Sequence, residues 1–177
     1  MKKGFTMIEL IFVIVILGIL ASVAIPRLAG TRTDAEVAAT VANLRTLLND
    51  VASYYAVKGT FGTDNTGKSS TIKWSEITNV PLKPKNDSKG VYGDAILKVG
   101  DQDCILVALR DRTVTATGTV VPAYIVFAKK TGGGDVCTQV QNAAPVKAYF
   151  DSRVEGVNLG NNTGKGAIAI GSSTTIY

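Results

Sequence analysis

The chain has 177 residues, a formal charge of +5 and no histidine, a length that allows one domain with an appendage rather than two ordinary domains. Without imidazole the commonest general base and metal ligand are gone, which disfavours Ser-His, Cys-His and zinc chemistry and points away from an enzyme. Setting aside Lys2 and Lys3 leaves 17 basic against 14 acidic residues, or +3, too weak a balance to announce a nucleic-acid binder.

The apolar residues are concentrated at the N-terminus, in KKGFTMIELIFVIVILGILASVAIP. Residues 5–25 form a run of 21, which as a helix covers about 30 Å, the thickness of a bilayer core. Lys2 and Lys3 ahead of it favour keeping that end cytoplasmic, so the body from Arg27 onward is expected to be translocated. Glu9 breaks the run, and an ionised carboxylate in hydrocarbon costs about 2.5–3.5 kcal/mol on insertion scales. Three readings compete. A secretory signal peptide offers Ser22-Val23-Ala24 as a small-x-small cleavage site, but Glu9 spoils its apolar core. A plain anchor needs a partner for Glu9, and no partner is evident in the sequence. A cut after Gly4 supplies one: Phe5 becomes the N-terminus, with a largely cationic amine four residues from Glu9 on its own helix or opposite Glu9 of a neighbouring copy. A charged pair in low dielectric is punished when one member is missing, which suits it to fixing register between packed subunits.

Gly4-Phe5-Thr6-Met7-Ile8-Glu9-Leu10, followed by an apolar run ending in Ala24-Ile25-Pro26, closely resembles the leader and N-terminal segment of type IV pilins and of the pseudopilins of type II secretion systems. The resemblance covers about the first 30 residues. It implies that a prepilin peptidase cleaves after Gly4 and methylates Phe5, that Glu9 aligns an incoming subunit through its neighbour's terminal amine, and that Pro26 marks where the helix kinks or melts on assembly. It further implies a single-pass precursor in the bacterial inner membrane with its C-terminal domain periplasmic. From there it would enter a homo-oligomeric helical filament, helped by minor pilins and an assembly platform with its ATPase. No cofactor is implied. Adhesion or motility pilus, secretion pseudopilus and DNA-uptake (competence) pseudopilus all remain open. The alternative from another class is a periplasmic or secreted binding module released by signal cleavage, whose chain would start at Ile25.

Beyond Pro26, where a helix should kink or weaken, Val37, Val41, Leu44, Leu48, Val51 and Tyr55 recur at spacings of 4, 3, 4, 3 and 4, one stripe of an amphipathic helix over residues 27–58. Asp34, Glu36, Arg45 and Asp50 fall on other faces, and Lys58-Gly59 closes the helix. With residues 5–26 this makes a helix of some fifty residues, bendable at Pro26. Residues 59–93 read as a variable loop with a helical turn anchored by Trp74 and Ile77. Short β-rich runs at 95–99, 104–110, 113–117 and 123–129 read as an antiparallel meander, ended by Gly132-Gly133-Gly134. Further strands are expected at 146–150, 167–170 and 174–177. The fold class is therefore α+β, with residues 1–4 a leader, 5–26 an apolar helix, 27–58 an amphipathic helix, and 59–177 a loop and a small antiparallel sheet packed on that helix.

If the body lies outside the cytoplasm, Cys104 and Cys137, 33 positions apart, read as one disulfide tying the later chain to the sheet; two reduced, buried thiols are the alternative. Lys83, Lys85 and Lys89, with Lys129 and Lys130, read as solvated loops. Asp101-Gln102-Asp103 and the 158–162 loop offer oxygen ligands without calcium-loop spacing, so turn formation is the default and no metal is expected. The sequons at 86–88 and 161–163 carry little weight, and Gly164-Lys165-Gly166 lacks the pattern of a phosphate loop.

Overall fold

The computed structural model describes residues 4–62, 73–84, 94–114, 118–154 and 165–171, with residues 26–29 described by their backbone alone. The chain divides into two units, Met1–Ala35 and Glu36–Tyr177, taken separately here.

A single helix, α1 (Met7–Lys58), supplies the first unit and the spine of the second. In the first unit every described side chain of residues 5–25 is exposed, and α1 is the one helix among the described residues long and apolar enough to cross a membrane. A helix hydrophobic all round needs lipid or other helices around it. The helical assignment continues unbroken through Pro26.

In the second unit α1 buries Thr40, Leu44, Leu47 and Val51, while Val37, Val41, Leu48, Tyr54 and Tyr55 pack at the margins of the core. The apolar face is thus wider than the expected stripe and extends past it on one side, through Thr40 and Leu47 to Tyr54, with Leu44 and Val51 near its middle. α1 ends where expected: Gly59 takes φ 70°, and its N–H donates to the Tyr55 carbonyl at 2.7 Å. A left-handed residue just past a helix is a glycine's place, because a Cβ there is strained.

The core of the second unit lies between α1 and a five-stranded antiparallel sheet ordered β1-β2-β3-β6-β7, formed by β1 (Leu82–Pro84), β2 (Asp94–Val99), β3 (Gln102–Arg110), β6 (Tyr124–Lys129) and β7 (Ala167–Ala169). Strand alternation drives the burial. Ala95, Leu97 and Val99 of β2, Ile105, Val107 and Leu109 of β3, and Ile125 and Phe127 of β6 share the main core; Val126 turns to a second cluster with Val121 and Ala167. β1 is an edge strand carrying the exposed Lys83 and ending on Pro84, which has no N–H to offer. Lys83 reaches Asp103 at 3.7 Å, so it and Lys129, on β6, belong to strands rather than to loops.

Several expectations change. The run at 113–117 gives only β4 (Thr113–Val114), with 115–117 outside the described residues. β4 pairs with β5 (Val120–Val121) as a separate two-stranded ladder, so the meander passes directly from β3 to β6. The strand expected at 146–150 is instead a helix, α4 (Ala144–Asp151), preceded by α3 (Gly134–Asn142). Pro145 sits in the first turn of α4, where its missing N–H costs nothing, and Val146 and Phe150 are buried at helical i, i+4 spacing. The loop at 59–93 holds β1 and contributes Phe61, fully buried, besides the short α2 (Trp74–Ile77) whose Trp74 and Ile77 are the expected anchors. The run at 174–177, the sequons and the 158–162 loop lie outside the described residues.

Two contacts tie the second unit together. Asp111, buried just after β3, accepts hydrogen bonds from Thr60 Oγ1 at 2.5 Å and from the Phe61 N–H at 3.0 Å, which pins the chain leaving α1. Tyr55 packs on Phe61 with ring centroids 4.8 Å apart; burial, then the neighbouring Asp111 carboxylate, raise its hydroxyl pKa above the ordinary 10.0. At the other end the disulfide Cys104–Cys137 joins β3 to α3, with Cα atoms 5.5 Å apart and both residues buried. Gln141, buried one turn further along α3, donates through Nε2 to the carbonyls of Cys104 at 2.8 Å and Lys130 at 3.0 Å. Gly133 lies against this bond so closely that a Cβ would come within 2.6 Å of Cys137 Sγ.

Candidate functional site

The N-terminal residues singled out by the sequence lie together at the start of α1. Gly4, Phe5 and Thr6 precede the helix in non-helical backbone, and Leu10 N–H makes the first helical bond, to the Thr6 carbonyl at 3.3 Å. Gly4 and Phe5 are exposed, and a Cβ added at Gly4 would meet nothing within 4 Å. The Gly4–Phe5 bond is therefore open to solvent.

Glu9 is not without a partner in its own chain. Its Oε2 accepts from the Thr6 N–H at 2.8 Å and from Thr6 Oγ1 at 2.6 Å, and the Glu9 N–H faces Thr6 Oγ1 at 3.4 Å. This is a capping box, in which a Thr at the helix start and a Glu three residues later satisfy each other's backbone donors. It also places the carboxylate at the positive end of the helix dipole. Thr6 is therefore the site residue that the sequence reading missed. The signal was present, since Thr-x-x-Glu ahead of an apolar run is itself the pattern of a capped helix start.

The arrangement divides the two oxygens of one carboxylate. Oε2 takes both Thr6 donors, and Oε1 has no hydrogen bond among the described residues. Glu9 can thus hold its own helix start and still present an acceptor outward, toward a cation from elsewhere. Around it Phe5, Met7, Ile8, Leu10, Ile11 and Phe12 are all exposed apolar side chains.

Elsewhere the candidate residues are structural. Cys104 and Cys137 are paired, and Asp103 is engaged by Lys83. Among the described residues no group of three or more His, Cys, Asp or Glu is placed to hold a metal ion. At Pro26 the backbone is helical.

Residues 1–25 match the family described as "Prokaryotic N-terminal methylation motif". Over 87 residues, 47% of its length, the chain is 36% identical to the type IV major pilin protein PilE of Neisseria gonorrhoeae, covering 52% of that protein. Over 91 residues, 51% of its length, it is 33% identical to the type II secretion system core protein G of Escherichia coli, covering 61% of it. The core protein G of Dickeya chrysanthemi is 31% identical over 91 residues, of which 58% is covered. The chain thus spans between about half and three fifths of the relatives it matches. No solved structure shows a significant match. Over these stretches the chain is similar to type IV pilins and to the type II secretion system core protein G, and its first 25 residues carry the methylation motif.

Proposed function

We propose that this chain is a structural, non-catalytic subunit of a type IV pilus-like filament, a pilin or a secretion-type pseudopilin, assembled through its N-terminal helix. The observation that carries the reading is the start of α1: an accessible Gly4–Phe5 bond beside a carboxylate that keeps one oxygen free in an otherwise apolar, fully exposed helix.

The precursor sits in the cytoplasmic membrane by the apolar half of α1, with its second unit on the periplasmic side. The capping box meets the helix's own donors there and keeps Glu9 engaged before any neighbour arrives. A prepilin peptidase cuts after Gly4 and methylates Phe5, whose secondary amine stays cationic near neutral pH. Glu9 Oε1 of one copy then accepts from the Phe5 amine of another, and the pairing sets the axial register of the two helices. Leaving lipid for neighbouring helices exchanges one apolar surrounding for another, so the gain lies in packing and in this pair rather than in escape from water. Minor pilins, an assembly platform and its ATPase would supply placement and energy.

Mass analysis of the N-terminus of the chain from its native host tests the proposal. A methylated chain beginning at Phe5 is expected; one beginning at Ile25 would sink it in favour of a signal-cleaved module.

A further inference from the structure

Outside the first unit, the large apolar side chains exposed among the described residues are Val57, Val114 and Val120. They share one pole of the second unit. Val114 and Val120 are direct partners on the β4–β5 ladder, which begins two residues after Asp111. Asp111 is also the group that pins Thr60 and Phe61, just past the α1 turn that carries Val57. Lys58 and Arg112, both exposed, accompany these valines and form no ion pair among the described residues. Among the described residues the acids nearby are turned to other duties: Asp111 to Thr60 and Phe61, Asp94 to Arg110 at 3.0 Å. The pole is apolar and cationic.

The opposite pole differs in sign. There the turn between β2 and β3 meets α1, and a Cβ on Gly100 would lie 3.6 Å from Glu36 Oε1. Asp101 is exposed beside it, and neither Glu36 nor Asp101 forms an ion pair among the described residues. Asp135, exposed in the first turn of α3, stands at the same end, where Lys98 and Lys130 also lie, so that Glu36, Asp101 and Asp135 outnumber these two bases by one. Two complementary patches at opposite ends of one unit make a heterologous contact, which gives an open chain of copies where the rotation does not close into a ring. Joined head to tail in that way, copies build open filaments.

We propose that the valine pole of one copy, with Lys58 and Arg112, seats on the Glu36 and Asp101 pole of another copy, a lengthwise contact separate from the N-terminal helix. The proposal rests on the filament reading above. The sparse apolar area supplies packing, and the charges supply orientation and choice of end.

The test uses the full chain expressed with its assembly machinery, with sheared filaments quantified. Lys58→Glu with Arg112→Glu, or Glu36→Lys with Asp101→Lys, is expected to lower filament yield at least about tenfold, since like charges then face each other. Reversing both poles together is expected to restore most of the yield. All four side chains are exposed or half-exposed, and closure of the Cys104–Cys137 disulfide together with native circular dichroism verifies that each variant is folded. Unchanged yield from folded single-pole variants overturns the proposal and leaves the filament reading standing if Glu9→Gln still blocks assembly. Loss without restoration in the double reversal also overturns it, and assigns the cationic pole to a different acidic partner. If the native chain forms no filaments at all, both readings fall.

Discussion

Replacing Glu9 by Gln separates the two roles of that side chain. Gln serves in a capping box as Glu does, so its oxygen can still accept from the Thr6 N–H and hydroxyl, now held at 2.8 and 2.6 Å, and the helix start should change little. What disappears is the charge offered through Oε1. Between packed helices, removing one partner of an ion pair leaves the other charge uncompensated in low dielectric, which should lower the equilibrium for adding a subunit by orders of magnitude. Thr6→Val does the opposite: it removes one hydroxyl donor, at a cost of about 1–2 kcal/mol to the cap, and leaves the carboxylate charged. Filament yield from cells expressing each variant with its machinery is therefore expected to be abolished by Glu9→Gln and to fall roughly tenfold or less with Thr6→Val. N-terminal mass analysis shows whether each variant was cut. Normal filaments from processed Glu9→Gln would refute the charge argument. An equally complete loss with Thr6→Val would place the essential interaction in the cap.

The remaining predictions concern the second unit, which contains the buried core found among the described residues. Replacing Cys104 and Cys137 by Ser opens a loop spanning 33 positions, for which chain entropy gives about 4 kcal/mol and a fall in Tm of roughly 10 °C or more, measurable by calorimetry against the oxidised chain. Gly133→Ala forces a Cβ to within 2.6 Å of Cys137 Sγ, so thiol titration should find slower disulfide closure, with about 1–3 kcal/mol lost to overpacking. Tyr55 and half-buried Tyr124 have hydroxyl pKa values raised above 10.0, chiefly by burial, so the folded state holds their protons more tightly than the unfolded chain. That stability is fully present below the unfolded value near 10.0 and is lost as pH rises through the folded values. Tyr55→Phe combined with Tyr124→Phe should flatten the alkaline fall in Tm above pH 10.0, and an unaltered alkaline fall would show the protons to be elsewhere.

Much of this was legible because the physics was local. The apolar run around Glu9 and the closure of α1 at Lys58-Gly59 depend on a few neighbouring residue types, and the pairing of Cys104 with Cys137 follows from there being only two cysteines. The errors came where tertiary context decides. Residues 146–150 carry Val, Tyr and Phe, which favour strands; Pro145 and the i, i+4 placement of Val146 and Phe150 against β6 and β7 made a helix of them. Leu47 was missed because a four-three stripe describes a narrow seam, whereas a helix lying on a sheet buries a wider arc. Thr6 differs again: its cap uses the same carboxylate that marks the run as charged, so one residue, Glu9, carries two signals and the helix start is the quieter of them.

In the filament proposed above, the edge strand β1 would bear on how copies pack without aggregating. Copies crowded side by side along one axis bring sheet margins within reach of each other, and unprotected margins would zip into cross-β ribbon, which does not come apart. Pro84 withholds a donor and exposed Lys83 adds charge along that margin, while β7 at the far side is only three residues long. Growth is thereby left to contacts that can be undone, and a chain with Pro84→Val and Lys83→Val would trade an orderly fibre for an aggregate.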